Sequence, residues 1–403
     1  MLSNDGHFNP RIYFFKIFIV YILILAPRVC QAQEKKAERC PTTIVDQDVL
    51  RGINLLYNWE FDTAENIFCQ LIEKRPNDPI GYFYFAMVSW SRLASGFWSA
   101  EMVKEYGERI DRAISTGKRA IKEKQDCFDY LYLGGALGFK GRFQLMERKW
   151  LPSFFLALEA IDALKTSLEM CPENKDVLFG LGIFDYYTAR LSGVLRFLSY
   201  LLIHKGDKEE GLRKLEVAAA EAVYSSTEAK SLLLHIYLFM EKDGYHKALP
   251  IARELALRFK ENPRYKFLEG VTYIRLGIES RYREVIDFLR AKSREQNSVI
   301  KSSIWANRAR YLDASYALFH DQCSSARSIL GTILASADPI SDPAMATWPL
   351  LKIGMSYDME EQREKAVDYY NRVLKLKNGG GAQFLAEKYL EAPARKKNLF
   401  IGY

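Results

Sequence analysis

Histidine is scarce in this 403-residue chain: five residues, at 7, 204, 235, 246 and 320. No two lie four apart, and none stands at metal-ligand spacing from cysteine or carboxylate, so the sequence offers no metal centre. A glycine-rich loop followed by Lys and Ser/Thr is missing, and so is a serine in a nucleophile elbow; neither phosphate cradling nor acyl transfer is written here. The triplet Gly379-Gly380-Gly381 reads as a flexible connector. Charge is close to balanced, at +7 with 57 basic and 50 acidic residues. No basic stripe marks a nucleic-acid surface, and we expect neither nucleic acid nor cofactor as a partner. The run Arg395-Lys396-Lys397 reads as a solvated tail.

Long apolar runs are also rare. The longest, Ile17–Ala26, follows Arg11 and Lys16 and precedes Cys30-Gln31-Ala32, the order of a secretory signal peptide with a cut after Ala32. Ten residues fall short of the roughly 20 that span a bilayer. The expected address is extracytoplasmic, most simply periplasmic. Removing residues 1–32 lowers the formal charge to +5. Aromatics, by contrast, are abundant, at 24 Tyr, 24 Phe and 6 Trp, which argues for a packed globular chain.

What the sequence does contain is a repeat. AENIFCQL from Ala64, ALPIAREL from Ala248, ARSILGTI from Ala326 and AVDYYNRV from Ala366 share a small residue, an apolar one four later and an aliphatic one three beyond. These offsets put all three side chains on one helical face. Helices with an internal glycine recur between these segments: Gly52 with Leu55, Gly134 with Leu137, Gly270 with Tyr273, Gly354 with Tyr357. A glycine inside a helix costs about 1 kcal/mol against alanine, so its recurrence signals close backbones. Pro76, Pro172, Pro263 and Pro339 come after the second helices and set the turn into the next hairpin.

The order Gly, Tyr, Ala, apolar, Pro resembles the tetratricopeptide repeat, most cleanly in WPLLKIGMSYDMEEQREKAVDYYNRVLKLK from Trp348 and next in residues 45–78. Spacing is irregular: the intervals from Ala64 to Ala160 and from Ala248 to Ala326 each exceed two units. The expectation is an all-α, right-handed α-solenoid of about six tetratricopeptide-like hairpins over residues 45–380, after a linker at 33–44. Insertions are expected at 90–125, 142–171 and 191–207, and a capping helix and tail at 381–403. The stretch 176–275, with Phe-Gly-Leu-Gly, Tyr-Tyr, an aliphatic run, Gly206-Asp207-Lys208 and Glu210-Gly211-Leu212, is similar to the tetratricopeptide-39 and inclusion-body-clearance proteins and to bacterial secreted relatives. That resemblance implies a scaffold without enzymatic activity.

Stacked hairpins leave a concave face for a protein or peptide. By analogy with the repeat's inner face, its lining is expected to be Phe179, Ile183, Tyr186, Tyr187, Arg190, Tyr237, Phe267, Arg275, Arg308 and Tyr311. Rings supply contact area and arginines recognise carboxylates. The second reading starts from 191–203, apolar on nearly all sides, which must be covered by protein, a lipid or a membrane surface. Among the cysteines, Cys127 precedes one helix and Cys171 ends its antiparallel partner, so in an oxidising compartment the two are expected to pair; the chain-entropy model gives such a link roughly 4 kcal/mol.

Overall fold

The apolar stripes separate two kinds of helix, and their alternation makes the architecture. The computed structural model describes residues 46–95, 97, 99–147, 149–190, 206–376, 381–396 and 399–403. The expected signal peptide and linker, and the apolar insert apart from Gly206 and Asp207, lie outside them. Eight hairpins follow in order: α1 (Gln47–Tyr57) with α2 (Phe61–Lys74), α3 (Pro79–Ala94) with α4 (Ala100–Glu123), α5 (Cys127–Met146) with α6 (Trp150–Met170), α7 (Asp176–Thr188) with α8 (Lys208–Glu221), α9 (Ser226–Phe239) with α10 (Tyr245–Arg258), α11 (Pro263–Leu276) with α12 (Glu279–Glu295), α13 (Val299–Phe319) with α14 (Cys323–Ser336), and α15 (Pro343–Met359) with α16 (Arg363–Lys375). A final helix, α17 (Ala382–Glu391), caps the stack. The chain is an all-α helical-repeat solenoid, with no strand among the described residues.

The count is eight hairpins, where about six were expected. The spans 90–125 and 142–171, expected as insertions, supply the long α4 and α6, which pair with α3 and α5 as ordinary hairpins. In α12 the small seam residue is replaced by Tyr282, which is buried together with Ile286 and Leu289. Its hydroxyl donates to Asp313 (2.6 Å) and its ring stacks on Tyr316 (4.5 Å between centroids), so a ring does there what alanine does elsewhere.

Second helices bury a narrow stripe. In α2 only Ala64, Phe68 and Leu71 are buried, and in α16 only Ala366, Tyr370 and Val373, the seam positions in each case. The first helices α3 and α15 are covered almost all round, with twelve of sixteen and fourteen of seventeen residues buried. A helix apolar on most sides must be packed on most sides, so these line the interior and their partners face out. Aspartates set the helix starts: Asp46, Asp78 and Asp126 accept backbone N–H groups, and Asp207 accepts from Glu209 and Glu210. Pro79, Pro263 and Pro343 occupy first-turn positions, where a missing N–H costs nothing.

The first hairpin returns to the middle of the chain. Tyr57 stacks against Phe259 (5.8 Å) and its hydroxyl donates to Glu228. Asn262 donates to the Tyr57 carbonyl (2.8 Å), Arg258 to Asn54 (2.7 Å) and the Asp46 N–H to the Tyr224 hydroxyl (2.9 Å). Contacts across about two hundred residues seat α1 on the ends of α9–α11. Cys127 and Cys171 meet in a disulfide, Cα atoms 6.1 Å apart, which ties the start of α5 to the end of α6.

Helix α8 touches α7 through glycine. A Cβ on Gly211 would stand 2.5 Å from the Tyr186 backbone nitrogen and 2.9 Å from the Gly182 carbonyl. Backbone cannot step aside as a side chain can. Gly211→Ala is therefore expected to lower stability by about 2 kcal/mol, although alanine favours the helix by roughly 1 kcal/mol; a urea midpoint that stays or rises would refute this packing.

Candidate functional site

The inner faces of α9, α11, α13 and α15 form a shallow wall, and the expected site residues Phe267, Arg275, Arg308 and Tyr311 stand on it. The wall is occupied. After α17, Arg363 donates to the carbonyls of Tyr389 (2.7 Å) and Leu390 (2.8 Å), and Asp358 accepts the Ala394 N–H (2.9 Å), steering the chain inward. Residues 399–403 then cross all four helices in a drawn-out, non-helical form.

Four consecutive main-chain carbonyls of this segment are taken by side chains. Leu399 O accepts from Arg275, Phe400 O from Lys352 Nζ, Ile401 O from Ser315 Oγ (3.2 Å), whose one proton is shared with the Tyr311 carbonyl (2.8 Å), and Gly402 O from the Tyr311 hydroxyl (3.1 Å). Arg308 Nε donates to the Tyr403 hydroxyl (3.0 Å). Because residues 401, 402 and 403 meet Ser315, Tyr311 and Arg308, the segment runs antiparallel to α13. Leu399 and Ile401 are fully buried; the Phe400 ring packs at a tilt against Phe239 (4.7 Å) and Trp348 (5.4 Å), and Tyr403 likewise against Phe267 (4.7 Å). A Cβ at Gly402 would stand 2.6 Å from Phe239 Cζ and 3.0 Å from Phe400 Cζ, so a side chain at the fourth position would have to push those rings aside.

The energetics are close to balanced. Ordering five residues costs roughly 5–10 kcal/mol, while burying Leu399 and Ile401 wholly and Phe400 and Tyr403 partly returns about 5–9 kcal/mol. The polar contacts tip the outcome, and they all run one way: the wall donates and the segment accepts.

That wall is rich in cations. Arg308 pairs with Asp342, and both are buried. Lys352 is fully buried with the Phe400 carbonyl as its acceptor, and burial, then the nearby Arg275 charge, hold its pKa well below the usual lysine value. The Arg275 Nε has no acceptor. Arg264 lies over the Tyr403 ring (5.7 Å) and donates to the Ala94 carbonyl and to His235 Nε2 (3.0 Å). No carboxylate pairs with Arg264, Arg275 or Lys352 among the described residues.

The other expected site residues do a different job. Tyr186 donates to Glu241 (2.7 Å), which also binds Arg190 (3.5 Å) and Lys208 (2.7 Å); burial raises that carboxyl, but these hydrogen bonds outweigh it and hold it below its ordinary pKa. Tyr237 donates to Glu216 (2.5 Å), and the Tyr187 hydroxyl meets the Met240 sulfur at 3.8 Å. Phe179 is buried and Ile183 half-buried against the same core. These six residues join the hairpin α7–α8 to α9–α10 and do not touch 399–403. Sequence reasoning missed Phe239, Ser315, Trp348, Lys352 and the segment itself. The small-residue seam betrays none of them, and only the apolar alternation of Leu399 and Ile401 hinted at burial.

Among the described residues no group of three or more His, Cys, Asp or Glu could hold a metal, and no helix is long and apolar enough to cross a membrane.

Fold and site together define a helical-repeat protein whose inner wall holds residues 399–403 of its own chain. No family model matches the chain. It is similar to a TPR repeat-containing protein of Methanocaldococcus jannaschii, with 21% identity over 289 residues that cover 69% of this chain and 43% of that protein. The chain thus spans less than half the length of this curated relative. Against the TPR domain of P58(IPK), an alignment covering 87% of this chain and 99% of that one has 15% identity and a TM-score of 0.21, too low for argument; the solenoid class rests on the hairpins themselves. The sequence likeness supports the tetratricopeptide-repeat reading.

His235 gives the wall a pH dependence. Its Nδ1–H donates to the Ser231 carbonyl (2.8 Å), leaving Nε2 as acceptor for Arg264, and burial followed by that guanidinium push its pKa from 6.5 to about 3. The folded state resists protonation that the unfolded chain accepts, so this group's contribution is complete above pH 6.5 and is lost as pH falls toward 3. In His235→Asn, the loss of stability between pH 6.5 and 4, read by urea unfolding, is expected to be shallower than in the parent; parallel slopes would rule out the neutral histidine.

Proposed function

We propose that the protein is a non-enzymatic scaffold that binds a protein partner by a peptide segment laid across the inner faces of α9–α15, and that it works outside the cytoplasm. The reading is carried by 399–403, a drawn-out segment already held there through four carbonyls. A wall that grips main chain without helix or sheet pairing is built for a peptide. The start of the sequence supports the extracytoplasmic address, the disulfide between Cys127 and Cys171 fits an oxidising compartment, and the similarity to a TPR repeat-containing protein supports the scaffold class. The kinship with tetratricopeptide-39 and inclusion-body-clearance proteins belongs to the same proposal and rests on residues 176–275.

A photo-crosslinking residue at Phe319, which lies beside Arg275, should yield protein adducts in the native host, whereas one at Leu257, 71% exposed on the outward α10, should not. Adducts only from position 257 would move binding to the outer surface.

A second reading has its own observation. Leu145, Met146, Trp150 and Phe155 stand about half exposed around the turn from α5 to α6, an apolar patch of the kind that rests on a membrane or a partner. Under the peripheral-membrane alternative, which also engages 191–203, the protein floats with anionic liposomes and Trp150→Asp with Phe155→Asp abolishes flotation. A protein that stays at the bottom of the gradient disposes of it.

A further inference from the structure

Resting on that reading, we propose that the α9–α15 wall is a main-chain reader for an apolar segment with a small fourth residue, and that 399–403 is its resident occupant, which the partner's segment must displace. Three observations converge on this occupant. First, the wall meets the main chain with donors alone: Arg275, Lys352, Ser315 and Tyr311 each take one carbonyl in succession, so the wall fixes the direction of the chain and demands an unpaired main chain. Second, the side-chain requirements are explicit. Positions one and three are apolar because Leu399 and Ile401 are fully buried; position two packs between Phe239 and Trp348; position four, where a Cβ would stand 2.6 Å from Phe239 Cζ and 3.0 Å from Phe400 Cζ, admits a side chain only if those rings move; and position five lies on Phe267 under Arg308. Third, the resident leaves the wall's donors under-used, since among the described residues the Arg275 Nε has no acceptor and neither Arg275 nor Lys352 pairs with a carboxylate. A partner segment that repeats the apolar pattern and adds an acceptor near its first position satisfies what the resident does not, and it replaces 399–403 instead of joining it, because both need the same four donors.

The probe is a fluorescein-labelled peptide with the sequence of residues 396–403, added in trans to the full chain and followed by anisotropy. The unseated chain, Leu399→Asp with Ile401→Asp, should bind it at least about tenfold more tightly than the parent chain does. Adding Ser315→Ala and Tyr311→Phe to the unseated chain should weaken binding by about tenfold or more. A peptide carrying valine in place of the glycine should not bind. The proposal falls if the unseated chain, helical by circular dichroism, ignores the peptide, or if parent and unseated chains bind it equally. Should the unseated chain not fold, hydrogen exchange on the parent decides: an excess of peptide must speed exchange at residues 399–403, and unchanged protection with peptide bound overturns displacement. A parent chain that runs as a dimer, and becomes monomeric when unseated, would assign the wall to a second copy and also overturn it. Protein adducts at position 319 together with no peptide binding leave the scaffold function standing and remove only this inference.

Discussion

First helices that are apolar on two sides have to be covered twice, and most of the structure follows from that demand. Their outer side is met by the second helices, through the three-residue stripe of small, bulky and aliphatic positions. Their inner side has no partner within the hairpin. The first hairpin is seated elsewhere, on the ends of α9–α11 through Tyr57, Asn58 and Asp46. In the second half the inner side is covered by 399–403. An ideal solenoid leaves that side open to a ligand; this one fills it from its own sequence, and the cost of ordering the filler nearly cancels the gain from burying it.

The sequence made the outer seam readable because its signal is local. Ala64, Phe68 and Leu71, or Ala366, Tyr370 and Val373, repeat at helical spacing, and the structure buries those same residues. Where the signal failed, a specific residue explains it. Tyr282 takes the place of alanine in α12, and in α4 the buried stripe runs from Tyr106 and Ile110 into Ala113, Gly117 and Ala120, so neither helix matches the pattern. The α4 span therefore reads in the sequence as part of an insertion at 90–125.

The inner face was half readable for a related reason. Facing inward is a local property, so Phe267, Arg275, Arg308 and Tyr311 were found. What they face is not local: Arg275 reaches Leu399 across 124 residues and Ser315 reaches Ile401 across 86. No periodicity carries such a pairing. The same limit explains Tyr186, Arg190 and Tyr237, inward-looking by register yet spent on Glu241 and Glu216, whose positions depend on how neighbouring hairpins stack.

Buried cations with few acceptors are where the inner wall departs most from a design for stability alone. An ammonium with one carbonyl acceptor and an arginine with an idle Nε are poor investments for a core, since apolar residues of equal volume would pack there without a desolvation penalty. Core polarity of this kind makes sense where a main chain must be held in one register and yet be exchangeable: donors fix direction and spacing, while the desolvation cost keeps the occupied state from becoming too deep. A wholly apolar wall would hold 399–403 in several registers, and a wall with matched carboxylates would need no occupant. The donor-only wall lies between these, and for that reason it holds 399–403 more by its backbone than by its charge.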